Sequence, residues 1–290
     1  MKINVGVPVY NGARTLGKVL DAILTQVESP KEVIVVDDGS TDNSASIALG
    51  KDVRVLSHRE NLGLAQARNT ILWNSDADIL VYFDADAAPK RGCIGALVEP
   101  LAHNRDVAGV GGRGLEAGTD TRAARWRART TPQSHGDICI YDDWMLMGLC
   151  TAFRRKTLLD IGGFDATFSC AGEDVDISLR IREKGGKLVY VPDAEVDHLP
   201  SGNVFSVTSQ AYRHAKFAGY ALVKNNKSPR EYLLESARCL GHYCREDFMS
   251  GHLFESTFGL INAGARALGI TMGSLRAKRE QIRGAAFRLS

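Results

Sequence analysis

The feature that most constrains the fold is a regular alternation, through the first hundred residues, of short β-rich runs with amphipathic stretches. Ile3–Val9 reads as a strand closed by Asn11-Gly12, after which Leu16, Val19, Leu20, Ile23 and Val27 recur at helical spacing. Residues 33–36 form a second strand signal, followed by Asp38-Gly39-Ser40-Thr41-Asp42, which combines turn and helix-start chemistry. Residues 53–56, the helix-like 63–73 and Ile79–Phe83 continue the rhythm. A βαβ alternation predicts a mainly parallel sheet covered by helices. Such sheets bind ligands just outside the carboxyl ends of their strands.

Two acidic clusters fall at such ends. The run Ile79-Leu-Val-Tyr-Phe reads as a buried strand and stops in Asp84-Ala85-Asp86. Strand side chains alternate in direction, so Asp84 and Asp86 can aim at one point while the small Ala85 turns aside. Two close carboxylates repel, and a site that keeps both ionised usually holds a cation. A hard divalent ion there suits a diphosphate-bearing ligand. Asp37-Asp38 ends the second strand, where the Asp38 carboxylate is placed to accept from a nucleobase edge; Asp-Gly is equally a favoured turn.

Beyond the first hundred residues, 107–112 is another strand. The stretch 114–143 shows no clear period and carries Arg122, Arg125, Arg127, Arg129 and Trp126, a pattern more often functional than filler. Order returns at 147–153, in a helix over 156–160, in a second helix over 173–184 ended by Gly185-Gly186, and in a strand over 188–191. From residue 205 the chain reads as helices with a break at Ser228-Pro229. The expected division is a domain over 1–204, with a nucleotide half to about 112 and an acceptor half over 113–204, and a helical extension over 205–290. Gly109-Val-Gly-Gly-Arg-Gly114 satisfies G-x-G-x-x-G, yet no helix start follows and no acidic residue closes a later strand, which argues against a dinucleotide fingerprint.

A formal net charge of +2 over 290 residues gives no case for nucleic acid as a partner, although beyond Pro200 Lys and Arg outnumber Asp and Glu, ending in Arg276, Lys278, Arg279, Arg283 and Arg288. No apolar run approaches the roughly 18–20 residues a membrane span needs. Met1 leads directly into strand-like sequence, and the six cysteines show no Cys-x-x-Cys spacing, so the expected location is cytoplasmic.

Further residues carry chemistry. Pro8-Val9-Tyr10-Asn11 ends the first strand, with Tyr10 placed to wall a base pocket. Asn61-Leu-Gly63 and the following small residues open a helix whose Arg68 is placed to reach a diphosphate or base, or to serve as a surface cation. Gly162-Gly163-Phe164-Asp165 precedes Gly172-Glu173-Asp174-Val-Asp176, where three carboxylates sit in a first helical turn and Asp176 pairs with Arg180 at i, i+4. Asp197-His198 follows the last strand; a lone histidine is more often a structural residue than a ligand, and a metal held by Asp86 would shift that balance toward the ligand role.

With these residues in hand, the chain resembles a family 2 glycosyltransferase of the GT-A fold, an α/β class with a Rossmann-like mixed, mainly parallel sheet flanked by helices. The resemblance covers about the first 200 residues, through Pro8, Tyr10, Asn11, Asp37 to Ser40, Asn61 to Asn69, Asp84-Ala85-Asp86, Gly162 to Asp165, Gly172-Glu173-Asp174 and His198 in the family's order. It implies that Asp38 binds the base and Asp84 the ribose or metal region. Asp86 would be the principal metal ligand and His198 a further one, for Mg²⁺ or Mn²⁺, with Asp174 the catalytic base. Pro8, Tyr10, Asn11, Asn61, Gly63, Arg68 and Ala85 complete the expected nucleotide contacts. Trp144, Gly148, Glu173, Asp176 and Arg180 are the candidates around donor sugar and acceptor.

The expected reaction is inverting, metal-dependent transfer of a hexosyl or deoxyhexosyl group from a nucleotide-sugar donor, UDP-linked before dTDP- or GDP-linked. The acceptor would be a carbohydrate, a lipid-linked or a protein hydroxyl, in cell-surface polysaccharide or glycoconjugate synthesis. The loop over 122–129 would close over donor phosphates or meet an anionic acceptor, a plain surface loop being the equal alternative. A nucleotide-sugar-binding scaffold without catalysis and a sugar-phosphate nucleotidyltransferase are the alternatives; the loop after the first strand is too poor in glycine for the latter. The helical tail fits packing against the catalytic domain, support of a homodimer, or peripheral contact with the cytoplasmic face of a membrane.

Overall fold

A computed structural model of the chain describes residues 1–117, 121–199 and 203–289, with side chains to residue 283. Residues 118–120 and 200–202, which fall within the expected acceptor half, and the side chain of Arg288 lie outside the described residues. The opening alternation becomes β1 (Ile3–Val9), α1 (Leu16–Leu24), β2 (Glu32–Asp37), α2 (Ser44–Leu49), β3 (Arg54–Ser57), α3 (Leu64–Trp73) and β4 (Ile79–Phe83). There follow β5 (Ala87–Pro89), α4 (Cys93–His103), β6 (Val107–Glu116), α5 (Arg122–Thr130), β7 (Ile140–Tyr141) and β8 (Cys150–Arg154). The chain continues through α6 (Arg155–Asp160), α7 (Glu173–Glu183), β9 (Lys187–His198), α8 (Val204–Lys224), α9 (Arg230–Met249) and α10 (Leu253–Leu289).

Among the described residues the strands form one sheet in the order β3-β2-β1-β4-β8-β6-β9-β5, with β7 paired to β9. β1 to β4 are mutually parallel. β8 runs antiparallel to both β4 and β6, so β6 and its parallel partner β9 point the same way as β4. The carboxyl ends of six strands therefore open on one edge. β4, apolar at every position and buried throughout, sits where a strand covered on both faces must. Val5, Val7, Val35, Val81 and Phe83 pack on Leu16, Val19, Leu20 and Ile23 of α1 and on Ile94 and Leu97 of α4.

β6 and β9 run longer than the local pattern suggests. They remain paired from Val107↔Lys187 to Glu116↔His198, with register irregularities between Val107 and Gly109 and between Gly111 and Arg113. His198 is thus the last residue of a strand rather than part of a following loop. The glycines of the G-x-G-x-x-G match lie inside β6, where close neighbours demand them: a Cβ on Gly112 would stand 2.2 Å from the Ala194 carbonyl oxygen.

The chain divides into two compact units, Met1–Ala117 with Gln133–Leu199, and Gly118–Pro132 with Pro200–Ser290. The division differs from the expected single boundary at 204, because α5 belongs with the C-terminal helices. Residues 122–130 carry no clear apolar period, yet they fold as a helix capped by Thr121, whose side chain accepts from the Ala124 N–H. The Trp126 ring packs 4.8 Å from that of Phe258, while Arg122 forks onto Glu255 and Arg129 onto Asp247. The expected phosphate-closing loop is therefore a helix, and Arg122 and Arg129 are engaged in ion pairs within the helical unit.

In that unit α8 and α10 approach backbone to backbone. A Cβ on Gly269 would lie 2.4 Å from the Tyr212 carbonyl oxygen, and one on Gly273 only 1.8 Å from that of Lys216. These glycines, which weaken α10 as an isolated helix, are what allows it to pack.

Candidate active site

Arg68 organises the acidic edge. It lies on α3 with 2% of its surface exposed. Nη1 donates to Glu173 Oε1 at 2.8 Å, and Nη2 donates to Asp84 Oδ1 at 2.8 Å and to the Gly148 carbonyl at 2.9 Å. The guanidinium lies over the Phe164 ring, 5.6 Å from its centroid. Burial acts to lower its pKa, but Glu173, Asp84 and Asp174 outweigh that and raise it. Arg68 was expected at the diphosphate or base; it is instead spent inside the protein, because α3 aims it under the sheet edge, where three carboxylates need a buried counter-charge.

The same cation ties two chain segments to one locus. Asp84 directly follows β4, and Glu173 opens α7, 105 residues from Arg68. Asp174 stands beside them: Oδ2 accepts from the Gly148 N–H at 3.2 Å and Oδ1 from the Val175 N–H at 2.8 Å. Gly148 thus serves Asp174 with its N–H and Arg68 with its carbonyl, and a Cβ there would stand 3.1 Å from the Arg68 fork. Burial pushes the Glu173 carboxyl up to about 8 against the pull of Arg68. Its Oε2 is buried without a hydrogen-bond partner among the described residues.

Asp86 and His198 meet because β5 pairs Ala87 directly with His198, and the Leu199 N–H donates to the Asp86 carbonyl at 2.7 Å. His198 Nε2 lies 3.7 Å from Asp86 Oδ2, while Nδ1 lies 2.9 Å from Glu116 Oε1. Burial works to lower the imidazole pKa, but hydrogen bonds and charge from Asp86 and Glu116 push it up to about 9. Glu116, opposite His198 in the β6–β9 register, is an orienting residue that no local sequence signal marks. No three His, Cys, Asp or Glu side chains gather as a metal cage among the described residues. A carboxylate and an imidazole suit Mg²⁺ or Mn²⁺ all the same, because such ions are commonly held by one or two protein groups with substrate phosphates and water completing the shell.

The remaining expected nucleotide contacts line the same edge with unequal freedom. Tyr10 is exposed just after β1, Pro8 pairs with Val36 inside the sheet, and a Cβ on Gly12 would stand 3.4 Å from that of Ala85. Asn11, at φ 51°, accepts the Thr41 N–H on Oδ1 at 2.8 Å and so fastens the loop after β2. Asn61 is exposed, and Gly63 takes φ 95°, with a Cβ there 2.7 Å from Ser169 Cα. Asp38 differs from expectation. Both its oxygens are taken within the protein: Oδ1 lies 2.6 Å from His58 Nδ1 and accepts the Leu62 N–H, and Oδ2 accepts the Gly63 N–H at 2.8 Å. It shapes the α3 entry loop instead of presenting a free carboxylate to a base. The neighbouring Asp37 accepts the Ser40 N–H on its carboxylate Oδ1 at 3.2 Å and the His58 N–H on its carbonyl at 2.9 Å.

Asp176 and Arg180 form the i, i+4 pair that their spacing offers. Asp176 is fully buried, Arg180 Nε donates to it at 2.7 Å, and the Arg180 fork holds the carbonyls of Ile161 and Gly163. The pair anchors the glycine turn to α7. Trp144 is 44% exposed, in a segment fixed to α7 through the Leu146 N–H and Ser178 Oγ.

A family model for glycosyl transferase family 2 matches residues 4–162. The pre-mycofactocin glycosyltransferase of Mycobacterium tuberculosis is 32% identical over 212 residues, covering 68% of this chain and 42% of that protein. The chain therefore spans less than half the length of that relative. The mannosyltransferase PcManGT from Pyrobaculum calidifontis, solved with GDP-Man and Mn²⁺, aligns with all of this chain and 81% of its own at TM-score 0.62 and 25% identity. Glucosyl-3-phosphoglycerate synthase from Mycobacterium tuberculosis, solved with Mn²⁺, UDP and glucosyl-3-phosphoglycerate, shares the fold over 77% of this chain and 79% of its own, at TM-score 0.56 and 20% identity.

The mixed, mostly parallel sheet flanked by helices is thus that of the GT-A glycosyltransferases. The chain belongs to glycosyl transferase family 2.

Proposed function

We propose that this protein is an inverting glycosyltransferase that moves a sugar from a nucleotide-diphospho-sugar to an acceptor hydroxyl, with Mg²⁺ or Mn²⁺ as cofactor. The observation that carries the reading is the convergence on one sheet edge of Asp86 beside His198, and of Asp174 beside the Arg68-linked Asp84 and Glu173. The GDP-Man of PcManGT supports a nucleotide-sugar donor in general. UDP remains the favoured base, with GDP and dTDP the alternatives.

Asp174, oriented by the Gly148 N–H, takes the acceptor proton as the hydroxyl oxygen attacks the anomeric carbon. The bond from that carbon to the diphosphate breaks on the opposite face, so configuration inverts and nucleoside diphosphate leaves. A carboxylate is far too weak a base to ionise an alcohol beforehand, so proton transfer accompanies bond formation. Asp86 and His198 would hold the metal, which supplies charge neutralisation for the departing diphosphate. Arg68 keeps Asp84 and Glu173 together without touching the donor. Glu173, whose Oε2 is buried and unpartnered among the described residues, is the residue we assign to the donor sugar or acceptor. The acceptor is a carbohydrate, lipid-linked or protein hydroxyl, consistent with surface polysaccharide or glycoconjugate synthesis at the cytoplasmic side.

Thermal shift with a panel of nucleoside diphosphates and their sugars plus Mn²⁺ identifies the donor. With that donor, Asp174→Asn is expected to bind within about twofold of the parent while turnover falls by roughly 10²–10⁴. Asp86→Ala should lose the Mn²⁺-dependent part of binding. Near-normal turnover in the first variant would overturn the base assignment, and unchanged Mn²⁺ dependence in the second would overturn the metal site.

A further inference from the structure

α10 presents two contrasting faces. One is locked onto α8, where Gly269 and Gly273 admit its backbone against the carbonyls of Tyr212 and Lys216. That packing fixes the rotation of the helix and turns Leu260, Ile261, Leu268, Met272, Leu275 and Ile282 outward, each between 46% and 69% exposed. Ile261, Leu268, Leu275 and Ile282 recur every seven residues, so they lie along one line. At the rise of an α-helix the ridge from 260 to 282 is about 33 Å long. Exposed apolar residues scattered singly are ordinary, but six of them aligned along one side of a helix mark a surface that something covers.

Charge decides what covers it. The helical unit, residues 118–132 and 200–290, holds 17 Lys and Arg against 7 Asp and Glu, a formal charge of +10. The other unit holds the remaining 19 Lys and Arg against 27 Asp and Glu, a formal charge of −8. A second copy seated ridge to ridge would bring two such cationic bodies together. The carboxylates of α10 are already engaged: Glu255 by Arg122, and Glu280 by Arg276 and the Tyr220 hydroxyl. Lys278, Arg279 and Arg283 are exposed at the C-terminal end of the ridge. A nucleic acid would answer the charge and leave the ridge wet. An anionic bilayer answers both, with apolar side chains at the headgroup boundary and cations among the phosphates.

We propose that the α10 ridge seats this protein on the surface of a bilayer bearing anionic lipids. The contact lies on the membrane and does not cross it, since no described helix is long and apolar enough to span one. The proposal is independent of the transferase reading, because its test reads binding and not turnover.

The full chain is floated with phosphatidylcholine vesicles, with and without one third phosphatidylglycerol. Binding is expected to be at least tenfold stronger with phosphatidylglycerol and to weaken as salt rises. Leu268→Glu with Leu275→Glu should abolish most of it. Replacing Lys278, Arg279 and Arg283 by Gln should weaken it on the order of 100-fold at low salt. The milder Leu268→Gln, at an exposed position, should melt like the parent while binding less. Failure of the folded parent chain to float with phosphatidylglycerol vesicles at low salt overturns the proposal. So does a sedimentation dimer that Leu268→Glu dissociates while vesicle binding is absent, which would assign the ridge to a second copy.

Discussion

Arg68 answers a problem that any site of this kind creates, since Asp84, Glu173 and Asp174 would otherwise repel one another at the end of a buried sheet. Glu173 shows how close that balance is. Burial lifts its pKa from the ordinary 4.5 to about 8 although Arg68 pulls the other way. Folding therefore favours its protonated form; the stability this contributes is whole below about pH 4.5 and is lost as pH rises through about 8. Glu173→Gln is neutral at every pH, so its melting temperature should gain on that of the parent as pH is raised from about 5 to 9. A difference that stays flat across that range would show that the carboxylate is ionised throughout. At this scale the sequence shows carboxylates at the strand ends and at the start of α7, while the structure adds that Asp38, Asp176 and Arg180 are engaged within the protein itself. Glu116 escaped notice because its partner His198 is 82 residues away.

Among the elements, α10 is held by contacts that side-chain hydrophobicity does not report. Gly273 lies where a methyl group would collide with the Lys216 carbonyl at 1.8 Å, whereas Gly264 has open space around it. Gly273→Ala must push two backbones apart and is expected to cost about 1–3 kcal/mol or more. Gly264→Ala should instead gain up to about 1 kcal/mol from helix propensity. Urea unfolding of both variants checks the contrast; equal effects would mean that α8 and α10 do not meet closely. The same reasoning explains what sequence missed here. β4 and the opening strands were legible because their apolar periods are local. α5 was not, because its buried face is built from Ala123, Ala124, Trp126, Arg127 and Thr130 and draws its partners from α8, α9 and α10.

For the whole molecule, a net charge of +2 conceals two units of opposite sign. At pH 8.2, the sequence isoelectric point, the chain should still be retained by a cation exchanger at low salt, through the helical unit. Elution in the void volume would show that the cations are neutralised within the chain. The order of strands and helices, and the carboxylates that end the strands, follow from the sequence alone, because alternation by two and by 3.6 is a property of neighbouring residues. Which carboxylates are engaged by Arg68, His58 or Arg180, and where α5 belongs, were decided only by the tertiary structure. Those outcomes rest on register across β5, β6 and β9 and on helix contacts between distant segments, and no local period encodes which distant residue will arrive opposite.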